Sequence, residues 1–247
     1  MHIHKAQRQG GFTLVELAVV LLIIGLIVGG ILRGQELITS AQINAVQTDA
    51  NQIRTSFNTF QDKFVALPGD IGDATLIDDS GSSVDLVAAD SGNGDGRIDG
   101  NRTNDGTEPV LAWIHLGASG LLGKVDEGDL EGSDLDGTNG FQGSVGGFYS
   151  LGQGLSGSFQ DVSEGDIWLI LGSGSGGAND TPIVDASQAA QLDRKVDDGD
   201  PANGNLRGDT ANTGTGNGSG CMTAAPGNDP APDYNNEGGS CALALEL

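Results

Sequence analysis

From Phe12 to Leu32 the chain is apolar at nearly every position, with one charge, Glu16, in 21 residues. As a helix rising 1.5 Å per residue, this run is about 30 Å long, the thickness of a bilayer's hydrocarbon core. Further on the pattern changes. Ile43, Val46, Ala50, Ile53, Phe57, Phe60 and Phe64 recur at alternating steps of three and four, which marks one apolar face of a helix. Asp49, Asn51, Arg54, Gln61 and Asp62 fall off this stripe. Pro68-Gly69 stops it, because proline disfavours helical geometry in the residue before it. One helix is predicted from about Phe12 to Ala66, roughly 80 Å long. It cannot be a compact core element throughout, so its first half is buried in a membrane or against other chains. Gly25, Gly29, Gly30 and Gly34 weaken that half by about 1 kcal/mol each relative to alanine. They allow local melting or close helix packing.

Beyond Pro68, Gly, Asp, Ser and Asn dominate. Val110 to Leu116, Gly147 to Leu151 and Asp166 to Leu171 are short apolar runs of strand length, and Cys241 to Leu245 reads as a last short strand. With 42 glycines and 4% aromatic residues, the core is expected to be thin. The predicted class is α+β: a long N-terminal helix, half membrane-spanning and half amphipathic, packed on a loop-rich head with a small antiparallel sheet. The boundaries read as a leader at 1–11, an apolar helix at 12–32, an amphipathic helix at 33–67 and one head at 68–247.

Charge narrows the function. The formal net charge is −23, and removal of Lys5 and Arg8 with the leader makes the remainder more negative still. No cluster of Lys and Arg exists to neutralise phosphates, which argues against nucleic-acid binding. The basic residues precede the span and the acidic domain follows it, so the leader stays in the cytoplasm and the head crosses the membrane. Cys221 and Cys241 are the only cysteines. In an oxidising compartment such a pair reads as a disulfide, contributing roughly 3 kcal/mol in the chain-entropy model.

Gly11-Phe12-Thr13-Leu14-Val15-Glu16-Leu17 joins a polar leader ending in glycine to the apolar run. This junction resembles the processing site of type IV prepilins and type II secretion pseudopilins. The resemblance is strongest from Gly11 to the Leu67-Pro68-Gly69-Asp70 stop and becomes general over the Gly-rich head. It implies cleavage by a prepilin peptidase after Gly11, with Phe12 as the new, N-methylated N-terminus. Glu16 is implied to be the assembly carboxylate that pairs with a neighbouring subunit's N-terminal amine. The implied partners are other pilin or pseudopilin subunits, the membrane, the peptidase and an inner-membrane assembly platform. The implied location is the inner membrane with a periplasmic head, then a filament. Many family members carry a proline in the apolar half; this chain has none before Pro68.

Ser91-Gly92-Asn93-Gly94-Asp95-Gly96-Arg97-Ile98-Asp99 places oxygen-bearing side chains at alternate positions around glycines. Calcium takes six to eight hard oxygen ligands, and Asn93, Asp95 and Asp99 are candidate ones. The loop is not an EF-hand, since Ser91 and Arg102 stand where that motif has its first aspartate and last glutamate. A polar hairpin with Asn-Gly and Asp-Gly turn chemistry reads equally well. Asp126 to Asp136 and Asp197 to Asp200 are calcium loops or solvated faces, the solvated face being favoured for the first. Leu192 to Arg207 looks like a pilin-head segment in which an acidic turn links short strands. Gly172 to Gly177 formally satisfies the dinucleotide fingerprint, but Asn179-Asp180-Thr181-Pro182 follows where a helix must open, so a flexible loop is expected. No nucleophile elbow or zinc-binding histidine pair is present, and His115 sits in an apolar run that favours packing. A filament subunit without enzymatic activity is the favoured function. The alternative is a membrane-anchored, calcium-dependent adhesion protein using a pilin-type leader for export.

Overall fold

The computed structural model describes residues 13–77, 86, 90–100, 106–123, 125–126, 140–153, 165–172, 182–209, 220–223, 233–235 and 238–247. Its first element, helix α1, spans Leu14–Phe64 without interruption at Gly25, Gly29, Gly30 or Gly34. The chain divides into two compact units, Met1–Ala41 and Gln42–Leu247. In the first, the apolar side chains of α1 are exposed, among them Leu14, Leu22 and Leu26. α1 is long and apolar enough here to cross a membrane.

The second unit begins with the amphipathic part of α1. Ile43, Val46, Ala50, Ile53, Phe57 and Phe60 are buried, as their spacing predicts, and Phe64 packs against the same core. Asp49 corrects that pattern: it is 2% exposed. Its two oxygens accept the Ser144 backbone N–H at 2.8 Å and the Ser144 hydroxyl at 2.9 Å. A buried carboxylate needs such donors.

The sheet has six strands: β1 (Val125–Asp126), β2 (Gly140–Gln142), β3 (Phe148–Gln153), β4 (Ile167–Gly172), β6 (Leu206–Gly208) and β8 (Leu243–Glu246). Their order is β1-β2-β3-β4-β8-β6, and each neighbouring pair is antiparallel. Strand alternation sorts the side chains. Leu169 and Leu171 of β4, with Leu243 and Leu245 of β8, join the core that holds the α1 stripe. Trp168, Ile170, Ala242 and Ala244 form a separate buried cluster. A smaller pair joins β5 (Val184–Asp185) to β7 (Ser240–Cys241).

Two helices replace expected extended structure. Val110 to Leu116 lies in α2 (Glu108–Ala118), which begins beside Thr107 with Pro109 in its first turn. Proline there is compatible with helix, since the N–H it lacks has no intrahelical partner. All of α2 is buried, so no polar face records a helical period. The second is α3 (Ala186–Val196), which takes up the first part of the segment read as a turn between short strands. Its buried Ala186, Ala189, Ala190 and Asp193 follow helical spacing.

Candidate functional site

The N-terminus of α1 is organised by two residues. Thr13, immediately before the helix, donates its backbone N–H to Glu16 Oε2 at 2.9 Å and its hydroxyl to the same oxygen at 2.8 Å. The Glu16 backbone N–H reaches the Thr13 hydroxyl oxygen at 3.3 Å. This is a reciprocal capping box, in which each side chain satisfies the other residue's otherwise unpaired amide. The carboxylate implicated in assembly therefore already has donors within its own chain. Gly11 and Phe12 lie outside the described residues.

At the other end of α1, the Leu67-Pro68-Gly69-Asp70 stop ties the helix to α2 and the 91–99 loop. Gly69 has φ +91°, and a Cβ there would lie 2.2 Å from the Glu108 carbonyl oxygen, so only glycine fits. Its N–H donates to His115 Nδ1 at 2.8 Å. The ring proton then sits on Nε2, which faces the Asp90 carbonyl oxygen at 2.7 Å. Burial holds the His115 pKa down at about 4, against a smaller raising effect from Asp90. Phe60 stacks on the ring, with centroids 6.1 Å apart. His115 is thus the packed side chain expected, on a helix instead of a strand.

Asp70 and Glu108, both buried, shape the candidate calcium loop. Asp70 Oδ1 accepts the Asp95 N–H at 3.0 Å, and Oδ2 accepts that of Gly96 at 2.7 Å. Glu108 Oε1 accepts the Asn93 N–H at 3.0 Å, and Oε2 that of Asp99 at 2.7 Å. The Asn93 and Asp95 side chains turn back onto the amides two residues ahead, those of Asp95 and Arg97. Such Asx turns are ordinary loop chemistry. Asp99 pairs with Arg97 at 3.4 Å. The alternation seen in sequence therefore positions exposed side chains, while the organising carboxylates come from outside the segment.

Among the described residues, a group that could hold a metal ion is Asp193, Asp197 and Asp198, each offering an oxygen within 4.8 Å of the others. Asp193 lies on α3, and the other two are in the turn after it. Asp193 Oδ1 accepts the Gly199 N–H at 3.1 Å, and Oδ2 the Tyr234 hydroxyl at 2.9 Å. Burial raises the Asp193 carboxyl to about 6, opposed by those hydrogen bonds and assisted by Asp198 and Asp197. Asp197 Oδ2 accepts the N–H groups of Asn205 and Leu206. A Cβ on Gly204 would fall 1.8 Å from that oxygen, and Gly204 has φ +77°. The site fits a hard cation in ligand type, and each Asp193 oxygen, which accepts one hydrogen bond, has a second lone pair. Three carboxylates supply only part of calcium's six to eight oxygens.

Cys221 and Cys241 are bonded, with sulfurs 2.04 Å apart. The bridge anchors Met222, which pairs with Tyr234. Tyr234 in turn bonds Asp193 across to α3. Sequence reading missed Asp49, Asp70 and Glu108 as buried acceptors. The signals lay in Asp70 following Pro68-Gly69, and in Glu108 opening a helix with Pro109.

Residues 6–32 match the family model of the prokaryotic N-terminal methylation motif. No curated protein and no solved structure matches the chain. The matched segment is the prepilin-type cleavage and methylation segment of type IV pilins and pseudopilins, ending at Leu32 inside α1. It supports a pilin-like protein processed by prepilin peptidase and implies assembly with other pilin subunits. With the apolar half of α1, it points to membrane anchoring.

Proposed function

We propose that this chain is a structural subunit of a type IV pilus-like or type II secretion pseudopilus filament. It is cut between Gly11 and Phe12, methylated at Phe12, and assembled through α1. The observation that carries this reading is the methylation motif at residues 6–32, continuous with a 51-residue helix whose apolar N-terminal half is exposed. An isolated helix of that composition is poorly solvated and requires lipid or other subunits around it. Glu16 near its start is costly in hydrocarbon unless paired. A partner's N-terminal amine supplies the pair in the filament, and Thr13 supplies donors before it. The head crosses to the periplasmic side. No enzymatic step is assigned to it; its role is mechanical and recognitional.

Calcium-dependent adhesion, the second reading, draws on Asp193, Asp197 and Asp198. A membrane anchor accounts for the exposed helix equally, but it leaves Glu16 without the second chain's amine that the subunit reading supplies. The test is N-terminal sequencing and intact mass of the protein from sheared filaments or periplasmic fibres. A chain beginning at methylated Phe12 and enriched in the fibres supports the subunit. A chain retaining Met1, or absent from fibres while anchored in the membrane, would reject it.

A further inference from the structure

Four Asn-Gly pairs occur in the chain, and two of them, Asn93-Gly94 and Asn203-Gly204, lie among the described residues. The pair matters chemically because glycine has no Cβ to shield its amide nitrogen from the carboxamide of the residue before it. Attack of that nitrogen on the asparagine Cγ closes a cyclic imide. The N–Cγ bond forms, the bond from Cγ to the carboxamide nitrogen breaks, and ammonia leaves with the proton given up by the glycine nitrogen. Water then opens the imide. Addition at Cγ gives aspartate, and addition at the main-chain carbonyl gives isoaspartate, whose backbone runs through Cβ and Cγ.

The structure holds the two pairs differently. Asn93 and Gly94 are both exposed, and a Cβ built on Gly94 meets nothing nearer than 3.9 Å. Among the described residues nothing accepts the Gly94 N–H. The Asn93 carboxamide oxygen accepts the Asp95 N–H at 2.8 Å, a donor it shares with Asp70 Oδ1 at 3.0 Å. That bond folds the carboxamide back over the Gly94 peptide, on the side where the ring closes. It also draws electrons from Cγ and takes up the negative charge that grows on the oxygen as nitrogen adds. Asn203 has no such donor among the described residues. Its Nδ2 donates to Asp200 Oδ2 at 2.8 Å, which ties down the leaving nitrogen and sets a carboxylate beside the carbon under attack. A charge of that sign opposes the anion that must form.

We propose that Asn93 is a self-modification site, which converts to aspartate and isoaspartate in the folded chain without an enzyme, while Asn203 is protected. The inference is independent of the filament reading. Its consequence follows from where the loop is gripped. Glu108 holds the Asn93 N–H, and Asp70 holds those of Asp95 and Gly96. Isoaspartate inserts one main-chain carbon between these grips, so Asp70 and Glu108 no longer both keep their bonds. The tie between the stop after α1 and helix α2 loosens.

The test incubates the full chain, purified in detergent, at mildly alkaline pH and maps its peptides by mass at intervals, with isoaspartate read by enzymatic methyl transfer. Loss of the amide at Asn93 is expected to run about tenfold or more faster than at Asn203. In denaturant, where only the dipeptide is left, the two rates should converge. Asn93→Ser keeps an oxygen acceptor for the Asp95 N–H and has no amide to lose, so it should give neither product. The aged chain should also unfold at a lower denaturant concentration than fresh chain, and the aged Asn93→Ser chain should not. Equal rates at the two sites in the folded chain, or an Asn93 that stays intact, would overturn the modification site. Isoaspartate at Asn93 with an unchanged unfolding midpoint would overturn the loosening of the loop.

Discussion

Thr13 gives Glu16 two hydrogen bonds to a single carboxylate oxygen, through its backbone N–H and its hydroxyl. Both bonds go to Oε2, which leaves Oε1 for the second chain's amine in the filament proposed above. Intrachain capping is therefore compatible with the proposed interchain pairing, in which Thr13 would hold the side chain in place for the incoming amine.

Glu16→Leu is expected to insert and be cut normally yet enter filaments poorly, because the apolar span is intact while the charge partner is gone. Thr13→Val should have a milder effect of the same kind. It removes the hydroxyl donor and leaves the backbone N–H, a loss of about 1 kcal/mol in helix capping. The measurement is the ratio of cut subunit in sheared filaments to cut subunit in membranes. Wild-type ratios for Glu16→Leu would remove this carboxylate from assembly.

The Asp70 and Glu108 carboxylates accept the amides of Asn93, Asp95, Gly96 and Asp99. Asp70→Ala or Glu108→Ala leaves two of those N–H groups without their acceptors. Each replacement is expected to cost the head about 2–4 kcal/mol, the range for losing charge-assisted hydrogen bonds at buried sites. Denaturant unfolding of the soluble head beginning at Gln42 measures it. Asp95→Ala, which removes an exposed side chain, should cost under about 1 kcal/mol. Equal costs for Asp95→Ala and Asp70→Ala would contradict the assignment of the organising role to Asp70.

The contrast between those residues shows what the sequence could and could not disclose. The α1 stripe and strands β3 and β4 were legible because period and length are local properties. The junction at Gly11 was legible because its chemistry is contiguous. Asp49, Asp70 and Glu108 were not, since a carboxylate looks solvated until the fold brings distant amides to it, 95 residues away for Asp49 and Ser144. Helix α2 was read as a strand because a helix buried on every side has no polar face. Helix α3 was obscured by the acidic turn after it, although its alanines carried the right spacing. Regular spacing marks Asn93, Asp95 and Asp99 as candidate cation ligands, and the acidic run Asp197 to Asp200 reads as a calcium loop or a solvated face, but nothing in the spacing joins Asp193 to it. The carboxylates that converge, Asp193 with Asp197 and Asp198, span a helix end.

Two buried groups give the head opposing pH responses. His115 has a folded pKa lowered to about 4 by burial. Between pH 6.5 and 4 the unfolded chain binds the proton more readily, so acid removes up to about 3 kcal/mol of stability through this residue. Asp193, raised to about 6, acts the other way: its contribution is present at low pH and is lost as pH rises from about 4 to 6. Imidazole NMR of the head should show His115 neutral at pH 5.5, and carboxyl NMR should show Asp193 titrating near 6. A His115 midpoint at the ordinary 6.5 would mean that the Gly69 to His115 contact opens in solution.

The same Asp193 carboxyl makes a cation test specific. An ion held by Asp193, Asp197 and Asp198 needs all three ionised, so its affinity should fall as pH drops through about 6. Binding only to the folded head raises stability by about 2.7 kcal/mol when free ion exceeds Kd a hundredfold. The oxidised head is therefore expected to melt higher in calcium than in chelator at pH 7.5, with a smaller difference at pH 5. An Asp197→Asn, Asp198→Asn variant keeps oxygen acceptors for the turn amides but loses two charges, and should lose most of the calcium response. An Asp95→Asn, Asp99→Asn variant should retain it. The reverse result would move the ion to the 91–99 loop. No melting difference in the unmutated head would leave both segments as hydrogen-bonded turns and remove the basis of the calcium-dependent alternative.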